Sequence, residues 1–72
     1  PMNFYARVNR STTVRVEVAG LPKDFNPLVE VTLQAGEHGV QIDASPLSPG
    51  TYLIFYYSDD VLFDTSTLVI EG

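Results

Sequence analysis

Apolar and polar residues alternate in short runs along most of this chain, which is the period of strands with one buried face and one wet face. Asn3 to Asn9 sets Phe4, Ala6 and Val8 on one side and Tyr5 and Arg7 on the other. Thr13 to Ala19 is the cleanest run, with Val14, Val16 and Val18 facing a core and Arg15 and Glu17 facing water. Leu28 to Gln34 repeats it, with Val29, Val31 and Leu33 opposed to Glu30, Thr32 and Gln34, and Val40 to Ala44 gives a short version with Val40, Ile42 and Ala44 inward. Thr51 to Ser58 breaks the rule. Tyr52, Ile54 and Tyr56 fill one face and Leu53, Phe55 and Tyr57 the other, so neither face is polar, and such a strand is expected to be covered on both sides. Val61 to Ile70 forms the last strand, in which Thr65-Ser66-Thr67 predicts a bulge or an exposed stretch and the facing of Leu68, Val69 and Ile70 stays open.

Turn chemistry separates these runs. Asn9-Arg10-Ser11 turns through short polar side chains that bond their own backbone, and it also forms a glycosylation sequon. Gly20, Pro22, Asp24, Asn26 and Pro27 break any regular element, so residues 20–27 are expected to loop from one sheet to another, with Leu21 and Phe25 plugging the end of the core or, alternatively, with Phe25 held exposed between the prolines for a partner. Ala35 to Gly39 holds two glycines and suits a five-residue hairpin loop. Ser45-Pro46-Leu47-Ser48-Pro49-Gly50 makes a corner, because proline cannot donate to a sheet ladder, and Ser58-Asp59-Asp60 turns into the last strand. There is no helical periodicity and no internal repeat. The fold expected is all-β: a small antiparallel sandwich of six or seven strands, forming one domain over residues 1–72. Pro1 is expected to be a remnant of cloning or protease cleavage, with Met2 the natural start.

Leu47-Ser48-Pro49-Gly50-Thr51-Tyr52 resembles the tyrosine corner of immunoglobulin-like and fibronectin type III-like sandwiches, in which a tyrosine near the start of the penultimate strand bonds to backbone just upstream. The resemblance implies that Leu47 fills the lower core, Gly50 makes the bend and the Tyr52 hydroxyl caps the corner. It covers the whole chain as a strand pattern and is specific over residues 47–56. Without a cysteine pair or tryptophan, an antibody-type domain is excluded. Small domains of this kind occur as accessory modules of phage tails and capsids and at the ends of bacterial surface proteins, and the size fits the phage likeness better.

Composition mostly removes alternatives. No cysteine means no disulfide and no thiol chemistry, and compartment stays unassigned. A net charge of −5 argues against a basic nucleic-acid footprint. No apolar run approaches the roughly 20 residues needed to cross a bilayer, and the N-terminus carries no secretion signal pattern. His38, the one histidine, reads as a solvated loop residue without triad or metal-site spacing. Asp59, Asp60 and Asp64 cluster near the last turn, yet calcium takes six to eight oxygens and three carboxylates without a shaped loop are too few. No glycine-rich phosphate loop is present. The chain is therefore expected to be no enzyme and to carry no cofactor or metal.

Binding remains. Leu53, Phe55 and Tyr57, joined by Tyr5 and Phe63, are the expected interaction residues, because an aromatic patch left over by the core marks a contact surface. A protein partner or self-association into a homo-oligomer is expected there, in a phage virion or surface accessory protein. Tyrosines along a strand could instead stack on sugar rings, a weaker reading without tryptophan. The other functional alternative is a small acidic inhibitor that blocks a host enzyme through its charge.

Overall fold

A computed structural model describes residues 2–72; Pro1 lies outside them. Six strands run β1 (Met2–Val8), β2 (Thr12–Val18), β3 (Val29–Leu33), β4 (Gly36–Ile42), β5 (Gly50–Ser58) and β6 (Val61–Ile70). They form two antiparallel sheets, one of order β3-β2-β5-β6 and one of β1-β4. The valine ladder of β2 is the spine, since Val14, Val16 and Val18 are all buried. They meet Leu33 of β3, Val40 and Ile42 of β4, Ile54 and Tyr56 of β5, and Leu47 from the corner. One buried polar side chain joins them: the Thr12 hydroxyl lies 2.6 Å from that of Ser58, a partner within the core rim that satisfies it.

Alternation placed the strands well but not all the crossings. The loop after β2 does not change sheets; β2 and β3 are hydrogen-bonded neighbours, with Val16 opposite Val29 and Val14 opposite Val31. Its closure depends on Asn26, whose side chain takes the place of a strand partner. The Asn26 Oδ1 accepts from Val18 N–H at 2.9 Å, and its Nδ2 donates to Val18 C=O at 2.9 Å and to Leu21 C=O at 3.2 Å. Leu21 packs on the core, but Phe25 does not plug it, being 47 % exposed.

The glycine pair also lies elsewhere than in a turn. Residues 35–39 form no hairpin loop: β4 already begins at Gly36, and β3 and β4 belong to different sheets. The two residues Gln34 and Ala35 carry the chain across. Gly39 sits within β4 opposite Tyr5, where an added Cβ would stand 3.3 Å from the Tyr5 ring, a tight approach that a glycine relieves.

The corner between β4 and β5 is built as its motif implies. Leu47 is buried, the Tyr52 ring passes alongside Gly50, and the Tyr52 hydroxyl donates to the Ser48 carbonyl. Asp43 steadies the approach: its Oδ1 accepts from Ser45 N–H at 2.9 Å, which holds its carboxyl below the usual range. Tyr52→Phe removes one hydrogen bond and no volume, so urea denaturation is expected to show a loss of about 1 kcal/mol with the fold retained.

β5 and β6 are joined by a two-residue turn in which Asp59 and Asp60 both take positive φ, 46° and 67°. That geometry matches the twist of the flanking strands, and aspartate tolerates it better than most side chains. The turn is tied back to β2, because Asp59 N–H donates to Thr13 C=O and Thr13 N–H donates to Asp59 Oδ1, each at 2.9 Å. A bulge follows. Tyr56 lies opposite Asp64 while Tyr57 lies opposite Leu62, leaving Phe63 as the extra residue. The irregularity thus falls ahead of Thr65-Ser66-Thr67, and below it Leu68 and Ile70 face the core while Val69 faces out.

Candidate functional site

Cross-strand partners share a face, so the register states what surrounds the second apolar face of β5. Thr51 pairs with Val69, Leu53 with Thr67, Phe55 with Thr65 and Tyr57 with Leu62 on the β6 side; Phe55 pairs with Glu17 and Tyr57 with Arg15 on the β2 side. The result is a band of Leu53, Phe55, Tyr57, Leu62 and Val69 interspersed with threonines on the outward side of the four-stranded sheet. Leu53 is 46 % exposed, Leu62 48 % and Val69 61 %, while Phe55 and Tyr57 are half-buried by their neighbours on the sheet. Apolar residues on both faces of β5 suggest cover on both sides; the chain supplies it on one.

Arg15 frames one end of the band. Its guanidinium carbon sits 4.5 Å above the centroid of the Tyr57 ring, and its nitrogens pair with Glu17 and Asp60. The hydrogen bonds to Asp60 and Glu17 raise its pKa further above the ordinary guanidinium value. This keeps a fixed positive charge on the Tyr57 ring and ties the β5–β6 turn to β2. The pairs are at the surface, so their role is to orient the ring rather than to hold the fold together.

Tyr5 and Phe63 do not join this band. Tyr5 stands 85 % exposed on the outward side of the other sheet, beside Gly39. Phe63 is turned by the bulge toward the opening between the sheets, where its ring lies 6.2 Å from that of Tyr56. Leu62 and Val69 belong to the band instead. The alternation of β6 gave no sign of them, because one extra residue reverses the facing of everything on one side of the bulge.

The remaining candidates for chemistry are dispersed. His38 lies in β4 rather than a loop, half-buried, with Nε2 2.6 Å from the Gln34 carbonyl oxygen. Asp59 and Asp60 are engaged with Thr13 and Arg15, and Asp64 Oδ1 accepts from Thr65 N–H. Among the described residues no three histidine, aspartate or glutamate side chains converge as metal ligands would. Among the described residues no helix is long and apolar enough to cross a membrane. No family model matches this chain, and no curated protein or solved structure is significantly similar to it.

Proposed function

We propose that this chain is a non-catalytic binding module of the immunoglobulin-like, fibronectin type III-like class, acting through the outward band of β5 and β6 on a protein partner or on a second copy of itself. The fold assignment is supported by strand order: β3-β2-β5-β6 and β1-β4 correspond to the C′-C-F-G and B-E strands of such sandwiches, and the Tyr52 corner falls at the start of the F strand. The observation that carries the function is the band itself. Leu53, Phe55 and Tyr57 lie in line on one strand, extended by Leu62 and Val69, with a polar rim of threonines, Arg15 and Glu17. An apolar centre with a polar rim is the anatomy of a contact surface. A role as a small phage or surface accessory protein is proposed on the likeness of size and fold class alone.

The test replaces the two half-buried aromatics with charges chosen to suit their neighbours. Glu17 lies beside position 55 and Arg15 beside position 57, so Phe55→Lys with Tyr57→Glu adds charge without like-charge contacts. Sedimentation equilibrium is expected to show self-association weakened by at least roughly tenfold, as loss of two central anchors implies, with the circular dichroism of the parent retained. An unchanged association constant in the folded variant would place association elsewhere.

The second reading, an acidic inhibitor, draws on the net charge of −5. Salt separates the two: binding through acidic side chains falls steeply from low to moderate ionic strength, whereas binding through the apolar band does not.

A further inference from the structure

The two sheets are unequal in width, and the shortfall is on one side. Met2, Phe4, Ala6 and Val8 of β1 all point toward the core, yet all are only half-buried, while every inward residue of β2 is buried. Phe4 packs edge-on against Tyr56 of β5, with ring centroids 5.5 Å apart. β1 therefore lies over β5, and β6 beyond it has no strand opposite. The space there is a cavity of about 490 Å³ between Phe4, Ala6 and Val8 on one wall and Tyr56 and Phe63 on the other. It continues into a second cavity of about 460 Å³ toward Asn9, Arg10 and Val61. β1 pairs only with β4, so its other edge presents unpaired backbone groups along a strand of seven residues that holds no proline or glycine.

Charge narrows what can fill it. Arg7 and Arg10 line the far end of the opening, and among the described residues the ion pairs are those of Arg15, so neither arginine has a carboxylate partner. Glu37 lies opposite Arg7 across the β1–β4 ladder but outside ion-pair distance, and Asp59 and Asp64, which also line the opening, each accept one backbone N–H, from Thr13 and Thr65. In a chain with four basic residues against nine acidic ones, two of the four stand at this opening.

We infer that the opening between β1 and β6 accepts one extended segment of a partner protein, with apolar side chains at alternate positions and acidic residues at the end that lies by Arg7 and Arg10. The segment adds a strand to β1: its backbone pairs with the bare edge, its apolar side chains cover Phe63 and the half-buried face of β1, and its carboxylates meet the two arginines. One strand fits and a whole sheet does not. A second copy approaching β1 edge to edge across a twofold axis would drive its β6 into the β6 already reaching past β1. The inference does not depend on the outward band of β5, which lies on the opposite side of the four-stranded sheet.

The probe is a blocked synthetic peptide of about nine residues, long enough to span the β1 edge at about 3.3 Å per residue, in which valine and threonine alternate and two glutamates stand at one end. Versions with the glutamates at the N-terminal or the C-terminal end cover antiparallel and parallel pairing. Saturable binding is expected for one of them, with new hydrogen-exchange protection at alternate amides of β1. Lysine in place of the glutamates should weaken it roughly fivefold or more, as exposed ion pairs allow. In Arg7→Gln/Arg10→Glu the preference should reverse toward the lysine peptide; glutamine is used at position 7 because Glu37 lies beside it. The Phe55→Lys/Tyr57→Glu variant should bind as the parent does, which separates this surface from the outward band. Absence of saturable binding at millimolar peptide overturns the inference. So does binding that perturbs Leu53 and Phe55 rather than β1, or concentration-dependent protection of the β1 amides without peptide, which would make a second copy the occupant.

Discussion

Ile54→Ala is expected to remove a large part of the stability of this protein, whereas Leu53→Ala, one residue away on the same strand, is expected to change it little. Ile54 is fully buried at the centre of the four-stranded sheet, opposite Val18 of β2 and Ser66 of β6. The substitution deletes three carbons, a transfer loss of about 2.5 kcal/mol at about 0.8 per methylene. The hole left where the surroundings cannot fully collapse adds to that, and such changes measure about 2–5 kcal/mol in all. A chain of 72 residues has about 4–11 kcal/mol to lose, at roughly 0.05–0.15 per residue. Leu53 is 46 % exposed on the outward face, so its truncation should cost no more than about 1 kcal/mol. Urea denaturation of the two variants against the parent checks both. Because successive residues of a strand face opposite sides, a result with the two costs exchanged would mean that β5 is one residue out of register.

That pair also marks how much of the fold could be read from residue order. Val14, Val16 and Val18 opposed to Arg15 and Glu17 can satisfy a sheet in only one way, and the structure buries the three valines and leaves the two charges facing out. The corner was legible for a different reason: Leu47, Gly50 and Tyr52 act over six consecutive residues, so neighbours in sequence make the contacts. The sheet partner of each strand was not legible. Gly36 and Gly39 look like turn residues, but one lies at the start of β4 and the other within it, under Tyr5. Local composition cannot distinguish a glycine that bends the chain from one that admits a cross-strand ring. Phe63 was hidden similarly. Alternation groups it with outward neighbours, whereas the bulge opposite Tyr56 turns it toward the gap between the sheets. The candidate surfaces divide along the same line. Leu53, Phe55 and Tyr57 could be recognised from a single strand, while the opening between β1 and β6 exists only once strand order is known.

Asn26→Ala is expected to be the most damaging substitution outside the core, although Asn26 sits in a loop that sequence alone reads as connecting material. Its amide pairs with both backbone groups of Val18 on that side of β2, accepting from the N–H and donating to the carbonyl, each at 2.9 Å, and it also holds the Leu21 carbonyl at 3.2 Å; the Val18 carbonyl has one further, long bond at 3.5 Å from Leu21 N–H. Alanine leaves the Val18 N–H without a partner and its carbonyl with only the long bond from Leu21 N–H, and an unsatisfied buried group costs about 1–3 kcal/mol. Water reaches part of this loop, so the expected total is about 2–4 kcal/mol, measured by denaturation, with faster hydrogen exchange at the Val18 amide than elsewhere in β2. Asn26→Asp separates the hydrogen bonds from the volume. The carboxylate can still accept from Val18 N–H but faces the Val18 and Leu21 carbonyl oxygens without a proton to donate. Those oxygens disfavour its charged form and raise its pKa above the usual carboxylate value of about 4. A folded-state pKa raised above the unfolded one favours the native state below the unfolded value and loses that contribution as pH rises through the folded value. The aspartate variant should therefore be weakest, relative to the parent, at neutral pH and should recover as pH falls toward about 4. If the difference from the parent stays constant across that range, the amide donor bonds are not what closes the loop.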